Sequence, residues 1–171
     1  MSKRKTLFIV LLFILLSYLG YNVVSKSQEK NAVTNSIKTI PDFSYATLNN
    51  TIFANNNLNP NLSTVFLYFN SECDYCQYEA QSIADSIDKF KDIQLIFIST
   101  EPADKIKMFS GQYNLNNKEN IIFLNDNEDS FSKLFNANSI PFTLIYDKEQ
   151  NLIKTHKGQL NAIGILRIVN K

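Results

Sequence analysis

The sequence contains no tryptophan, one histidine and only two cysteines among its 171 residues. A single histidine excludes most histidine-rich metal sites, and two cysteines are too few for a disulfide scaffold or a four-thiolate zinc site. The formal net charge is +1, so the composition does not indicate a nucleic-acid partner. We therefore predict neither a metal site nor a nucleic-acid site, which leaves the cysteine pair as the main candidate for chemistry.

The N-terminal 24 residues have the pattern of a membrane signal. The basic residues 3–5 precede an uncharged stretch, Thr6 to Val24, about long enough to span a bilayer as a helix. The basic cluster favours a cytoplasmic N-terminus, so the rest of the chain would be exported. Residues 1–24 are interpreted as a signal anchor. A cleaved signal peptide is the alternative, because residues 7–16 match an h-region in length and residues 23–25 loosely resemble a cleavage site.

The remainder of the chain predicts a linker followed by one α/β domain. Residues 25–39 are polar and lack a periodic face, as expected for a tether, and residues 40–171 have the length of one ordinary domain. Hydrophobic periodicity predicts strands at 43–48, 64–70, 93–99, 121–124, 140–146 and 152–156, and helices at 73–90, 103–113, 129–135 and 160–169. A strand–helix–strand start requires parallel pairing, and a final hairpin requires antiparallel pairing. We therefore predict a mixed central sheet with helices on both faces.

The cysteines form a Cys-Asp-Tyr-Cys motif, Cys73 to Cys76, at the junction between the strand at 64–70 and the helix that follows it. Unpaired amide groups and the helix dipole at that position favour a thiolate on the outer cysteine. Export would place this isolated pair in an oxidising compartment, where disulfides form and persist. The position predicts a redox site.

Together with the motif Ser-Ile-Pro-Phe-Thr at residues 139–143, this junction resembles the thioredoxin fold. The chain looks like the membrane-tethered TlpA/ResA-type thiol-disulfide oxidoreductases of bacteria over residues 40–171. The resemblance implies a cis Ile140–Pro141 bond that faces the cysteines and leaves the backbone of Ile140 available to a substrate strand. It also implies that Glu79, three residues after Cys76, lies beneath the pair and moves protons for that thiol.

The chain departs from that family on either side of Cys73. Glu72 replaces the usual tryptophan, and Asp74 and Tyr75 stand where many relatives have proline. An acid on each side of Cys73 opposes its ionisation, which makes the couple more reducing and favours a reductase.

The resemblance implies a thiol-disulfide oxidoreductase of the bacterial inner membrane, with its domain in the periplasm, or secreted there if the signal is cleaved. Its substrates would be disulfides of exported proteins, apocytochrome c among them, and a membrane thiol-disulfide donor would restore the dithiol. It needs no cofactor besides the Cys73–Cys76 disulfide.

Three alternatives remain. A peroxiredoxin would have Thr or Ser three residues before its reactive cysteine and Pro seven before, where this chain has Asn70 and Phe66. A copper chaperone of the SCO type would need one more residue between the cysteines and a matching histidine, whereas His156 is expected to be an exposed strand residue. A non-catalytic thioredoxin-like binding domain would not reduce insulin.

Overall fold

The computed structural model describes residues 11–12, 14, 16–22 and 35–170. These fall into two compact units, one ending at Ser36 and one beginning at Ile37. In the first unit residues 16–22 are helical. Across the residues that the structure describes, no helix combines the length and the apolar character needed to cross a membrane. Residues 1–10 and 23–34 lie outside the described residues, so the predicted anchor (1–24) and the predicted linker up to residue 34 stay predictions.

The described part of the second unit, residues 37–170, contains seven strands and four α-helices. The strands are β1 (Ser44–Thr47), β2 (Ile52–Ala54), β3 (Ser63–Tyr68), β4 (Ile93–Ser99), β5 (Ile121–Asn125), β6 (Phe142–Tyr146) and β7 (Leu152–Lys157). The helices are α1 (Asp74–Ala84), α2 (Ala103–Gln112), α3 (Ser130–Leu134) and α4 (Ala162–Val169), with short 3-10 turns at Asn55–Asn57 and Ile87–Phe90.

All seven strands form one mixed sheet in the order β2-β1-β5-β4-β3-β6-β7. β3, β4 and β5 are parallel because α1 and α2 carry the chain across the sheet between them, whereas β6 pairs antiparallel with both β3 and β7. The predicted mixed sheet is therefore confirmed. β2 is too short to give a period-2 pattern, and the sequence did not predict it.

The helix predicted over residues 73–90 is shorter in the structure. α1 ends at Ala84, and Ser86 leaves the helical region with φ −120° and ψ 17° before the 3-10 turn. Asp and Ser compete for backbone hydrogen bonds and are weak helix formers, which explains a break at residues 85–86.

The core lies on both faces of the sheet. Every residue of β3 is buried, and alternation sends Val65 and Leu67 to one face and Phe66 and Tyr68 to the other. The first face is covered by α1, α2 and α4, and the second by α3 and the segment before β1. Packing on both faces of the sheet therefore fixes the C-terminal end of β3. The candidate site begins at that end.

The segment before β1 packs against β7. Ile37 is buried, the backbone N–H of Leu152 donates to the carbonyl of Lys38 (2.8 Å), and Thr39 forms a bridge with Asn151. The compact unit therefore includes residues 37–39, which the sequence analysis assigned to the linker.

Candidate active site

The two cysteines lie where the chain leaves the centre of the sheet and enters α1. Cys73 is the N-cap residue of this helix, with φ −86° and ψ 116°, and Cys76 lies in its first turn. The predicted helix was to begin at residue 73, but Cys73 is the N-cap and keeps extended backbone angles, so α1 begins one residue later. Both are free thiols; Cys73 is partly exposed and Cys76 is buried. Only the first sulfur is therefore open to a large substrate.

The backbone of Asn70 contacts both cysteines. Its carbonyl accepts from the N–H of Cys73 (3.2 Å), and its own N–H donates to the sulfur of Cys76. Burial raises the pKa of the Cys76 thiol well above its usual range, and the Asn70 hydrogen bond opposes that shift. The pKa of Cys76 is raised further by a hydrogen bond to Cys73, by the charge of Cys73 and by the charge of Glu79. Cys76 is therefore the cysteine that keeps its proton.

Glu79 lies one helical turn beyond Cys76, on the side of α1 that faces the sheet. Its side chain is 3% exposed, and one carboxylate oxygen accepts from the hydroxyl of Thr143 on β6 (3.3 Å). Burial raises the pKa of Glu79 to about 8, although hydrogen bonds from Thr143 and the backbone of Leu160 oppose the shift. A carboxyl group with such a pKa exchanges protons near neutral pH.

The Ile140–Pro141 peptide bond is cis, the conformation that the resemblance implied. The next residue, Phe142, pairs with Tyr68 at the end of β3, so the proline lies at the same end of the sheet as the cysteine loop. Ile140 is 41% exposed. Within residues 35–170 its backbone N–H and C=O have no hydrogen-bond partner, whereas the Pro141 carbonyl accepts from Gly158 (2.9 Å).

The acid before Cys73 is paired with a cation. The Lys105 ammonium lies 2.5 Å from the carboxylate of Glu72, and both side chains are largely exposed. This hydrogen bond lowers the pKa of Glu72 and places a positive charge beside its negative one. The sequence analysis treated Glu72 as an unpaired acid that opposes the ionisation of Cys73. Because Lys105 offsets its charge, we expect less opposition from Glu72. The argument still applies to Asp74, which lies in the first turn of α1.

Two buried polar residues near the cysteines were missed by the sequence analysis. Thr143 is fully buried and donates to Glu79; Glu101 is 7% exposed and accepts both the N–H and the hydroxyl of Ser71. Both carried a signal. Thr143 is polar within an apolar strand, and Glu101 follows β4, whose C-terminal end lies beside that of its parallel neighbour β3.

His156 lies on β7, where the sequence analysis placed it, but it is partly buried and not exposed as expected. Its ring nitrogen Nε2 is 3.1 Å from the carbonyl oxygen of Gln159. Within the described part of the chain, no three side chains of His, Cys, Asp or Glu are grouped so that they could hold a metal ion.

The mixed sheet, the cysteine pair at the start of α1 and the cis proline beside it define a thioredoxin-like protein. Solved structures share this fold. DsbF of MTB matches with a TM-score of 0.65 and 18% identity, over 79% of this chain and 95% of that chain. A secreted Mycobacterium tuberculosis disulfide oxidoreductase homologous to E. coli DsbE matches with a TM-score of 0.62 and 18% identity, over 80% and 95%. Peroxidoxin BcpB from Mycobacterium tuberculosis gives 0.66 and 16% identity, over 77% and 94%.

The AhpC/TSA family profile matches residues 37–165, and the chain belongs to this family. The match covers almost all of the second compact unit. No curated protein sequence matches the chain significantly.

Proposed function

We propose that this protein is a thiol-disulfide oxidoreductase that reduces disulfides of exported proteins through Cys73 and Cys76. The observation that carries the proposal is the asymmetry of the pair. One thiol is accessible at a helix N-terminus, and the other is buried, protonated and close to a buried carboxyl group. Dithiol exchange requires this division, because one cysteine must attack and the other must wait.

In the first step the Cys73 thiolate attacks one sulfur of a substrate disulfide. The substrate S–S bond breaks, one substrate sulfur leaves as a thiolate, and a mixed disulfide forms at Cys73. Cys73 lies at the N-terminus of α1, the position that favours an attacking thiolate.

In the second step Cys76 loses its proton and attacks the Cys73 sulfur. The mixed disulfide breaks, the second substrate thiolate leaves, and a Cys73–Cys76 disulfide remains, so two electrons have moved to the substrate. Glu79 accepts the proton of Cys76, since its carboxyl group is buried beside that thiol and its pKa of about 8 is close to ambient pH.

The proposed direction of electron transfer, from the protein dithiol to the substrate, follows from the free-energy cost of ionising Cys76. Burial disfavours its thiolate, and Asp74 adds a negative charge in the first helical turn. A dithiol that gains little from ionisation is a stronger reductant. A thiol-disulfide donor in the membrane would restore the dithiol after each cycle.

The exposed Ile140 is the proposed docking residue for substrate. Its unpaired backbone groups, next to the cis Pro141, can bind an extended chain in the manner of an added strand. The proposed location is the bacterial inner membrane, with residues 1–24 as anchor and the domain in the periplasm, or secretion there after cleavage. Apocytochrome c is one compatible substrate.

Peroxide reduction is the second candidate, favoured by the AhpC/TSA match and the fold shared with a peroxidoxin. Against it, Asn70 and Phe66 occupy the positions where the peroxiredoxin motif has Thr or Ser and Pro. Hydrogen peroxide consumption by the reduced protein discriminates between the two. We expect slow consumption compared with the reduction of insulin disulfides.

The test is a trapping experiment with Cys76→Ser, which removes the resolving thiol. Expressed in cells, this variant should accumulate disulfide-linked adducts that dithiothreitol releases and that mass spectrometry identifies. The matched control, Cys73→Ser with Cys76→Ser, should capture nothing. If the single variant traps no partner and the wild type reduces no insulin, the proposed function is wrong.

A further inference from the structure

Ser71, two residues before the first cysteine, is held by all of its polar groups. Its N–H donates to Oε2 of Glu101 (2.6 Å), and its hydroxyl donates to Oε1 of the same carboxylate (2.7 Å). Its carbonyl accepts from the side chain of Gln77 on α1 (2.8 Å). A loop residue held on three sides has little freedom to move.

Glu101 is itself fixed to the C-terminal ends of two strands. The hydroxyl of Ser99, the last residue of β4, lies 3.2 Å from Oε2, and the side chain of Asn125, the last residue of β5, donates to the Glu101 carbonyl (2.6 Å). The carboxylate is 7% exposed. The clamp on Ser71 is therefore attached to the centre of the sheet.

The residue next to Ser71 is Asn70, whose backbone binds both cysteines. Its N–H donates to the Cys76 sulfur, and its carbonyl accepts from the N–H of Cys73. Holding Ser71 in place therefore holds Asn70 in place, since one peptide bond joins them.

We propose that Glu101 is a positioning residue for the cysteine pair, which clamps Ser71 and thereby keeps the Asn70 backbone against Cys73 and Cys76. This inference rests on the proposed function and deepens it, because it concerns the second step of exchange. Glu101 acts through Ser71 and Asn70.

The consequence is a faster attack by Cys76. The Asn70 N–H is the group that favours the thiolate of this buried cysteine, whereas burial and the other titratable groups that act on it, Cys73 and Glu79, oppose ionisation. Releasing the clamp should lower the thiolate fraction and slow the second step about tenfold, the size expected when an ionised group loses one hydrogen bond.

The test follows the two sulfurs separately in the reduced full chain, with less than one equivalent of 5,5′-dithiobis(2-nitrobenzoate). Attack by Cys73 releases one thionitrobenzoate and leaves the other as a mixed disulfide. Attack by Cys76 on that disulfide releases the second and leaves the protein disulfide. In Glu101→Ala the second phase should slow about tenfold. Glu101→Gln should recover most of the rate, because its amide oxygen still accepts from Ser71.

The matched control is Asp126→Ala, which truncates a buried carboxylate in the same way. Asp126 is another buried carboxylate that binds a serine, with Oδ1 accepting the N–H (3.0 Å) and the hydroxyl (2.9 Å) of Ser130, but it caps α3. This variant should keep both phases. An equal slowing in Asp126→Ala would overturn the inference, as would an unchanged second phase in Glu101→Ala.

Ser71→Ala gives an independent reading if Glu101→Ala does not fold. It deletes only the hydroxyl and keeps the N–H, so the second phase should slow by a smaller factor. An unchanged second phase in a folded Ser71→Ala would overturn the inference. A wild type without any second phase would instead refute the proposed function.

Discussion

A buried carboxyl group with a raised pKa should destabilise the protein as pH rises, and Glu79 offers a direct test. Its pKa rises from 4.5 to about 8 on folding, mainly through burial. Between these values the folded chain holds a proton that the unfolded chain has released, so the free energy of unfolding falls with pH. The slope approaches about 1.4 kcal/mol per pH unit, which amounts to about 3 to 5 kcal/mol over the whole window.

Glu79→Gln removes this titration and keeps an oxygen that can accept from Thr143. Urea unfolding of the reduced variant should therefore match the wild type near about pH 5 and exceed it by about 3 to 5 kcal/mol near about pH 8. Exchange activity should fall in the same variant, since its amide cannot take up a proton. Glu119→Gln, at an exposed position, should leave the pH dependence unchanged. Equal slopes in Glu79→Gln and the wild type would show that this carboxyl group is not tuned for proton transfer.

Three further outcomes are expected. Lys105→Met leaves the charge of Glu72 unpaired beside Cys73, so Cys73 should react more slowly with iodoacetamide, and added salt should reduce the difference. Phe66→Ala removes a fully buried ring from the core and should lower the free energy of unfolding by about 3 to 5 kcal/mol, measured in urea. Gly158→Ala places a side chain at φ +84°, where there is open space but an unfavourable backbone, and should cost about 1 kcal/mol in the same assay. Unchanged kinetics in the first case, or unchanged midpoints in the other two, would contradict these expectations.

The elements predicted most accurately are those with a strong hydrophobic pattern. β4 begins and ends where the sequence analysis placed it. All of its residues are apolar except Gln94 and Ser99, so the hydrophobic pattern is strong. The final hairpin and α4 were predicted within about two residues, since Asn and Gly mark their boundaries. Local sequence is sufficient where an apolar run or a turn residue marks the bounds of an element.

The parts that were missed depend on distant contacts. β2 exists because β1 is beside it, and three residues carry no pattern of their own. The clamp of Glu101 on Ser71 joins residues 30 apart, and the pairing of Glu72 with Lys105 joins residues 33 apart. Spacing along the chain cannot indicate such contacts, because the turn before α1 and the start of α2 meet only in the folded sheet.

The edges of the sheet bear on the proposed exchange with extended substrate chains. β2 closes one edge with only three residues, and at the other edge the segment at residues 37–40 pairs with the start of β7, which also carries Lys154 and Lys157. Short, covered or lysine-bearing edges resist indiscriminate strand addition. Under the proposed function, an extended substrate chain would find its open backbone partner at Ile140, at the same end of the sheet as the cysteine loop, and not along the sheet edges.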